Sequence, residues 1–399
     1  MYRVYCRIYQ CVLWVVSHFL PWRKPELLEG ENSLMRLPGL IKEKGIAGVL
    51  IVTDKGIASL GLMNGLLKGL DEEGIRCAVY DKTVPNPTID NIEEAVGVYR
   101  ENGCEAIIAF GGGSPMDCAK GVGARITRPR KTITKMRGLL TVRKRIPTLF
   151  AIPTTAGTGS ETTLAAVITD SRTHEKYAIN DMSLIPHYAV LDPVLTVNLP
   201  PHLTATTGMD ALTHAVEAYI GKGNTHKTKQ AAREAVTLIF ENLYEAYENG
   251  QNMAARDRMQ KAAYLAGIAF TRAYVGNVHA VAHTLGGLYG VPHGLANAVI
   301  LPHMLTYYGK SVYKSLAELA ELAGIAAPGD TEKQKAQAFI RAIEELNARM
   351  NIPAKISGIK ESDIPVMAER ACHESNPLYP VPRILSKKEL HAFINMIRE

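Results

Sequence analysis

Asp210 and His214 stand four residues apart in "GMDALTHAVEAY" (208–219), a run that otherwise reads as a buried helix. Four residues is slightly more than one helical turn, so the carboxylate and the imidazole aim at one spot. One such pair is accounted for by an ordinary hydrogen bond on a helix surface. A second stretch, "GNVHAVAHTLGGLYGVPHGLANAVILPH" (276–303), adds His279, His283, His293 and His303, the first two again four apart. A lone histidine in such apolar surroundings is normally a satisfied core residue. Several imidazoles together with a carboxylate are better explained by a divalent cation, and this mixed oxygen and nitrogen set suits Fe2+ or Zn2+ with positions left open for substrate. The spacing permits His279, His283 or both as ligands.

Two glycine-rich junctions offer a different chemistry. "IIAFGGGSPMD" (107–117) runs a buried strand into three glycines and a helix start. Ser114 is suited to cap that helix, Pro115 to its first position, and Asp117 to a capping box. Glycines there let an anion approach the positive end of the helix. The pattern departs from G-x-G-x-x-G, because Met116 occupies the third glycine's place. "PTTAGTGSE" (153–161) is a second such junction, rich in hydroxyls. Side by side, the two would form a cradle for a dinucleotide. Asp54, ending "LIVTD", stands where a carboxylate could accept from a ribose diol and repel a 2′-phosphate; by itself it reads as a turn residue.

The elements that position these residues fall into two rhythms. Up to about Pro200, short β-branched runs ("AGVLIVTD", "IRCAVYD", "EAIIAFGGG", "TLFAIPTT", "YAVLDP") alternate with helical stretches. That alternation predicts a Rossmann-like α/β fold with a parallel sheet covered by helices. Beyond it every patterned segment has helical spacing, so an all-α domain follows. We place an α/β dinucleotide-binding domain at 1–199, including an apolar N-terminal extension (1–33), and an all-helical metal-binding and substrate domain at 200–399.

The 399 residues, 47% apolar and 21% charged with net charge +6, describe an ordinary globular protein. Six cysteines without CxxC spacing read as reduced thiols and favour the cytoplasm. Residues 1–20 are apolar but interrupted by Arg7, Gln10 and His18, too short to span a bilayer and without a cleavage site. They predict an extra strand or helix packed on the fold or on a partner subunit, with membrane-surface attachment as the lesser alternative. Between Cys118 and Ser160 stand ten Lys/Arg and no acidic residue. A solvated loop accounts for them, an anion-attracting rim is the sharper reading, and a nucleic-acid patch lacks the accompanying aromatics.

Taken together the motifs "VTDKG", "VPNPT", "GGGSPMDCAK", "IPTTAGTGSE", "GMDALTHAVEAY", "HAVAHTLGG" and "VPHGLANAVILPH" are distinctive. From about Leu34 onward the sequence resembles the iron-containing (group III) alcohol dehydrogenase family. The resemblance implies metal ligands at Asp210, His214, His279 and His293, with His283 lining the site and passing a hydroxyl proton. It implies dinucleotide contacts at Asp54, Asn86, Gly112, Gly113, Ser114, Pro115, Asp117, Thr154, Thr155, Thr158 and Lys176, and a substrate pocket lined by Ala165, Ala178 and Phe270. The implied reaction transfers a hydride between a primary or small aliphatic alcohol and NAD (NADP less suited), with Fe2+ or Zn2+ as Lewis acid, in a homodimer. Alternatives are a same-fold enzyme resembling glycerol dehydrogenase or dehydroquinate synthase, which a basic phosphate pocket would favour, and a non-catalytic binding protein, which a missing ligand would favour.

Overall fold

The computed structural model describes residues 1–172 and 175–399. Two compact units divide it: Pro21–Asn198, and Leu199–Glu399 joined by Met1–Leu20. The chain opens with α1 (Tyr2–Ser17). The first unit then runs β1 (Glu26–Glu29), α2 (Leu37–Glu43), β2 (Gly48–Val52), α3 (Lys55–Ser59), α4 (Asn64–Glu72), β3 (Arg76–Tyr80), α5 (Ile89–Glu101), β4 (Ala106–Gly111) and α6 (Gly113–Thr127). It ends with β5 (Gly138–Leu139), β6 (Thr148–Pro153), β7 (Ala165–Asp170), β8 (Glu175–Asn180) and β9 (Tyr188–Leu191).

Six strands form a parallel sheet in the order β1-β9-β6-β4-β2-β3. Its central strands are buried on both faces: Leu50, Val52, Ile107, Ala109 and Leu149 join one core, while Val49, Ile51, Ile108, Phe110 and Phe150 join another. Each of the larger side chains contributes roughly 1.5–3 kcal/mol by leaving water, which is why these strands read as unbroken apolar runs. Two features lie outside the sequence expectation. β1, "ELLE", carries too few apolar residues to stand out, and it pairs only at the sheet edge. A second sheet, β5-β8-β7, joins three short strands whose alternation is brief.

The helical unit contains α7 (Pro201–Ile220), α8 (His226–Glu248), α9 (Met253–Ala273), α10 (Asn277–Tyr289), α11 (His293–Tyr308), α12 (Tyr313–Leu322), α13 (Glu332–Arg349), α14 (Ile364–Ser375) and α15 (Lys387–Ile397). In α7 every residue from Gly208 to Ile220 is buried. A Cβ on Gly208 would stand 2.2 Å from Leu243 Cδ1, so α7 and α8 touch only because glycine is there. Among the described residues no helix is long and apolar enough to cross a membrane.

The N-terminal extension corrects its sequence assignment. Residues 1–20 group with the helical unit, and only the part beyond Pro21 belongs with the α/β unit. The reason is polar: Gln10 Nε2 donates to the carbonyls of Pro377 (3.0 Å) and Tyr379 (2.7 Å), and Arg7 donates to those of Val381 (2.8 Å) and Pro382 (3.0 Å). The buried face of α1 is Cys6, Gln10 and Ser17, whereas Val4, Tyr5, Ile8, Val12, Val15, Val16 and Phe19 point outward. Gln10→Ala removes the side-chain donor from the Pro377 carbonyl and leaves that of Tyr379 with the Val381 amide alone, and is expected to cost about 1–3 kcal/mol. A melting temperature equal to wild type would show that these bonds are replaced by water.

Candidate metal centre and dinucleotide cradle

β4 and β6 are neighbours in register, Gly111 opposite Pro153, so both glycine-rich junctions leave the sheet at the same end. Gly111 has φ +144°, and a Cβ there would lie 2.7 Å from Pro115 Cγ. A Cβ on Gly113 would press on Thr158 Cγ2 at 3.2 Å, and one on Gly112 would meet Thr155. The loops therefore close on each other as the cradle requires. Thr154 is buried and its hydroxyl has no hydrogen-bond partner among the described residues. A buried hydroxyl left open in this way awaits a ligand or water.

Ser114 corrects another expectation. Helix α6 begins at Gly113 with Gly112 as its N-cap and no side-chain cap. Ser114 Oγ instead accepts from the Asn86 amide at 3.2 Å, because Asn86 adopts left-handed backbone (φ +58°) and turns its N–H there. Asp117 does not close a capping box either; it accepts from Ser160 Oγ at 3.2 Å. The first amides of α6 are thus left for an anion. Lys176 Nζ donates to Asn86 Oδ1 at 2.6 Å, which joins both to Ser114. Asp54 caps α3, with Oδ1 accepting from the Ile57 amide at 2.9 Å.

Lys120, which the motif reading left without a role, is wholly buried and donates to Ser160 Oγ (3.0 Å), Thr163 Oγ1 (2.7 Å) and Ala165 O (2.8 Å). It ties the two junctions together. Burial pulls its ammonium down to about 8 against the opposing pull of Asp117 and Glu161, and burial pushes Asp117 up to about 6. Ala165 and Ala178 lie on adjacent antiparallel strands, Ala178 opposite Val167. The basic segment stitches its own loop: Arg128, Lys131 and Arg143 donate to the carbonyls of Val142, Thr141 and Leu140, and Arg137 pairs with Glu175.

In the helical unit, α7 supplies Asp210 and His214, α10 supplies His279, and His293 opens α11. One ligand atom from each lies within 4.8 Å of the others. From Asp210 Oδ1 the distances are 3.9 Å to His214 Nδ1, 3.7 Å to His279 Nε2 and 3.6 Å to His293 Nε2. Burial would raise the Asp210 carboxyl, but the surrounding imidazoles hold it far below the usual range. For His279 burial opposes the charged form, yet the Asp210 and Glu217 carboxylates push it up to about 9. A carboxylate and imidazoles that share a buried spot fit a divalent cation, which supplies the positive charge the cluster demands.

Further groups hold these side chains. Glu217, on α7, accepts from His279 Nδ1 (2.6 Å) and from the amides of Gly276 (2.7 Å) and Val278 (2.8 Å). It caps α10 and leaves His279 Nε2 as the nitrogen facing Asp210. Asn297, one turn past His293, donates from Nδ2 to Asp210 Oδ1 at 2.7 Å and stands 3.1 Å from His279 Nε2 and His293 Nε2. Phe270 stacks on His214 with centroids 4.1 Å apart. His283 lies outside the four-residue group: its Nδ1 is 2.6 Å from Glu374 Oε1, and its ring stacks on His293 at 5.2 Å. His303 is elsewhere, bonded to the Ala354 carbonyl.

The model of the iron-containing alcohol dehydrogenases matches residues 25–193, and that of the Fe-containing alcohol dehydrogenase family's C-terminal part matches 204–397. The chain belongs to the iron-containing alcohol dehydrogenase family. It is 40% identical over 365 residues to the 1,3-propanediol dehydrogenase of Citrobacter freundii (90% of this chain, 94% of that one). It is 37% identical over 369 residues to the NAD-dependent methanol dehydrogenase of Bacillus methanolicus (91% and 96%). A solved 1,3-propanediol oxidoreductase superposes with TM-score 0.91 at 38% identity, covering 95% of this chain and 100% of that one. As an iron-containing alcohol dehydrogenase the chain is an oxidoreductase of alcohols and aldehydes that uses a metal and a nicotinamide dinucleotide. Helix α1 lies outside both matched regions. Of the groups the motif reading missed, Glu217 stood seven residues past Asp210 on the same helical face, a legible signal. Asn297 shares a face with His293 four residues earlier, whereas nothing near Glu374 pointed to His283.

Proposed function

We propose that this iron-containing alcohol dehydrogenase oxidises small aliphatic primary alcohols with NAD and reduces the matching aldehydes, with Fe2+ as its native metal and Zn2+ as a competent substitute. The observation that carries the reading is the convergence of Asp210, His214, His279 and His293. We assign these four as the ligands and Glu217 as the carboxylate that fixes the tautomer of His279. When bound, the cation supplies Lewis acidity toward the alcohol or carbonyl oxygen, and the nicotinamide exchanges the hydride. His283 accepts the hydroxyl proton at Nε2, its Nδ1 being committed to Glu374. The amides of Gly112, Gly113 and Ser114, the ring of Pro115 and the hydroxyls of Thr154, Thr155 and Thr158 cradle the dinucleotide, with Asp117 holding Ser160 behind them and Asn86 and Lys176 at its edge. On the substrate side we assign Ala165 and Ala178, whose small side chains leave room for an aliphatic chain, and in the helical unit Phe270, which stacks on His214. The relatives named for 1,3-propanediol and methanol support a small substrate. We take the enzyme to work as a cytoplasmic homodimer.

The test is a panel of C1 to C6 alcohols and aldehydes, followed at 340 nm with protein purified without air and assayed for iron and zinc. Turnover of none of them by metal-replete protein would overturn the reading. NAD preference rests on Asp54, whose carboxylate would face a 2′-phosphate. Like charges a few ångströms apart disfavour NADP by about 1–3 kcal/mol, or roughly 5- to 150-fold in kcat/KM. Asp54→Gly should erase most of that difference while costing only a few tenths of a kcal/mol as a cap. A wild type that prefers NADP would refute this role.

A further inference from the structure

We infer that Glu374 is a positioning residue for His283, held in place by Tyr379 on a segment that the N-terminal helix clamps. The inference rests on the relay role proposed above for His283.

Glu374 Oε1 receives two hydrogen bonds: His283 Nδ1 at 2.6 Å and the Tyr379 hydroxyl at 2.9 Å. Tyr379 is a dependable donor, because burial and then the Glu374 carboxylate drive its phenol well above the usual range. Because the Glu374 carboxylate can only accept, Nδ1 carries the N–H in this bond, which leaves the ring's free lone pair on Nε2. The same bond fixes the ring plane, stacked on His293 and edge-on to His279 (centroids 6.1 Å, 69°).

Tyr379 is itself immobilised. Its amide donates to Ser375 O at 2.8 Å, and its carbonyl accepts from Gln10 Nε2 and from the Val381 amide at 2.8 Å. Pro377 on one side accepts from Gln10, and Val381 and Pro382 on the other accept from Arg7. Pro380 accepts from the Lys222 amide at 2.6 Å. A continuous run of bonds therefore leads from α1 through residues 377–382 to the imidazole beside the metal centre. Residues 1–24 lie outside the matched family regions, whereas the clamped residues 377–382 lie within the C-terminal one.

The test measures kcat, KM for NAD, metal content and melting temperature in wild type, Glu374→Ala, His283→Gln and the double variant. Glu374→Ala should lower kcat roughly 10- to 100-fold with metal content and KM for NAD unchanged, the range usual for a partner that orients a functional group. Glu374→Gln should recover most of the rate, since its carbonyl still accepts from Nδ1. In the His283→Gln background the loss from Glu374→Ala should vanish, because the two residues act through one path. Losses that multiply in the double variant, or a Glu374→Ala enzyme as fast as wild type, overturn the proposal. Glu374→Met, similar in size and without an acceptor, replaces the alanine variant if that one does not fold. A His283→Gln enzyme as fast as wild type instead removes the relay reading. The 15N spectrum of histidine-labelled, Zn2+-loaded protein then decides Glu374 independently. The His283 Nδ1–H signal should be present in wild type and lost or mixed in Glu374→Ala, and its persistence there refutes the assignment.

Discussion

Asp210→Ala is expected to yield a folded protein that holds no metal and has lost nearly all turnover. Asp210 Oδ1 is the point from which the three imidazole nitrogens are 3.6–3.9 Å away, and it is the only carboxylate in the group. Without it the remaining ligands are neutral, and a hard or borderline divalent ion loses its one anionic partner. Lewis acidity supplies several kcal/mol of transition-state stabilisation, so its loss should lower kcat about 1,000-fold or more. The fold should survive, because the substitution removes a buried charge rather than creating one. Added metal should raise the melting temperature of wild type through mass action and leave that of the variant unmoved. The checks are iron and zinc content, circular dichroism and a melting series with and without metal. Stoichiometric metal and ordinary turnover in Asp210→Ala would falsify the ligand assignment.

His279→Gln and His283→Gln, prepared side by side, should part company. His279 is buried, with Nδ1 held by Glu217 and Nε2 turned to Asp210, so its variant should arrive without metal. His283 is partly exposed and committed to Glu374. Its variant should retain the metal and lose turnover by roughly 10- to 10,000-fold, the range of general acid–base catalysis. Both replacements are similar in size to the imidazole, so packing loss is small in either. If only His283→Gln arrives empty, the two roles must be exchanged.

Periodicity and local composition, read along the chain, were enough to locate five of the six strands of the parallel sheet (all but the edge strand β1), its change to helices near Pro200, and both glycine-rich junctions. These signals are short-range: burial on both faces forces unbroken apolar runs, and a strand-to-helix turn at an anion site demands residues without side chains. The i, i+4 pairs likewise announced that α7 and α10 each present two polar groups on one face. What spacing could not decide was which histidine of α10 meets Asp210, because His279 and His283 are equivalent one turn apart. Only tertiary packing separates them: Glu217 comes from α7 to take Nδ1 of one, and Glu374 comes from α14 to take Nδ1 of the other. The start of α6 was decided in the same way, since the amide that Ser114 meets belongs to Asn86, 28 residues earlier. So was the placement of α1, a mostly apolar helix whose few polar residues gave no sign of their partners. Its attachment depends on Arg7 and Gln10 finding carbonyls more than 360 residues away, on a segment whose backbone groups had no helix or strand to satisfy them.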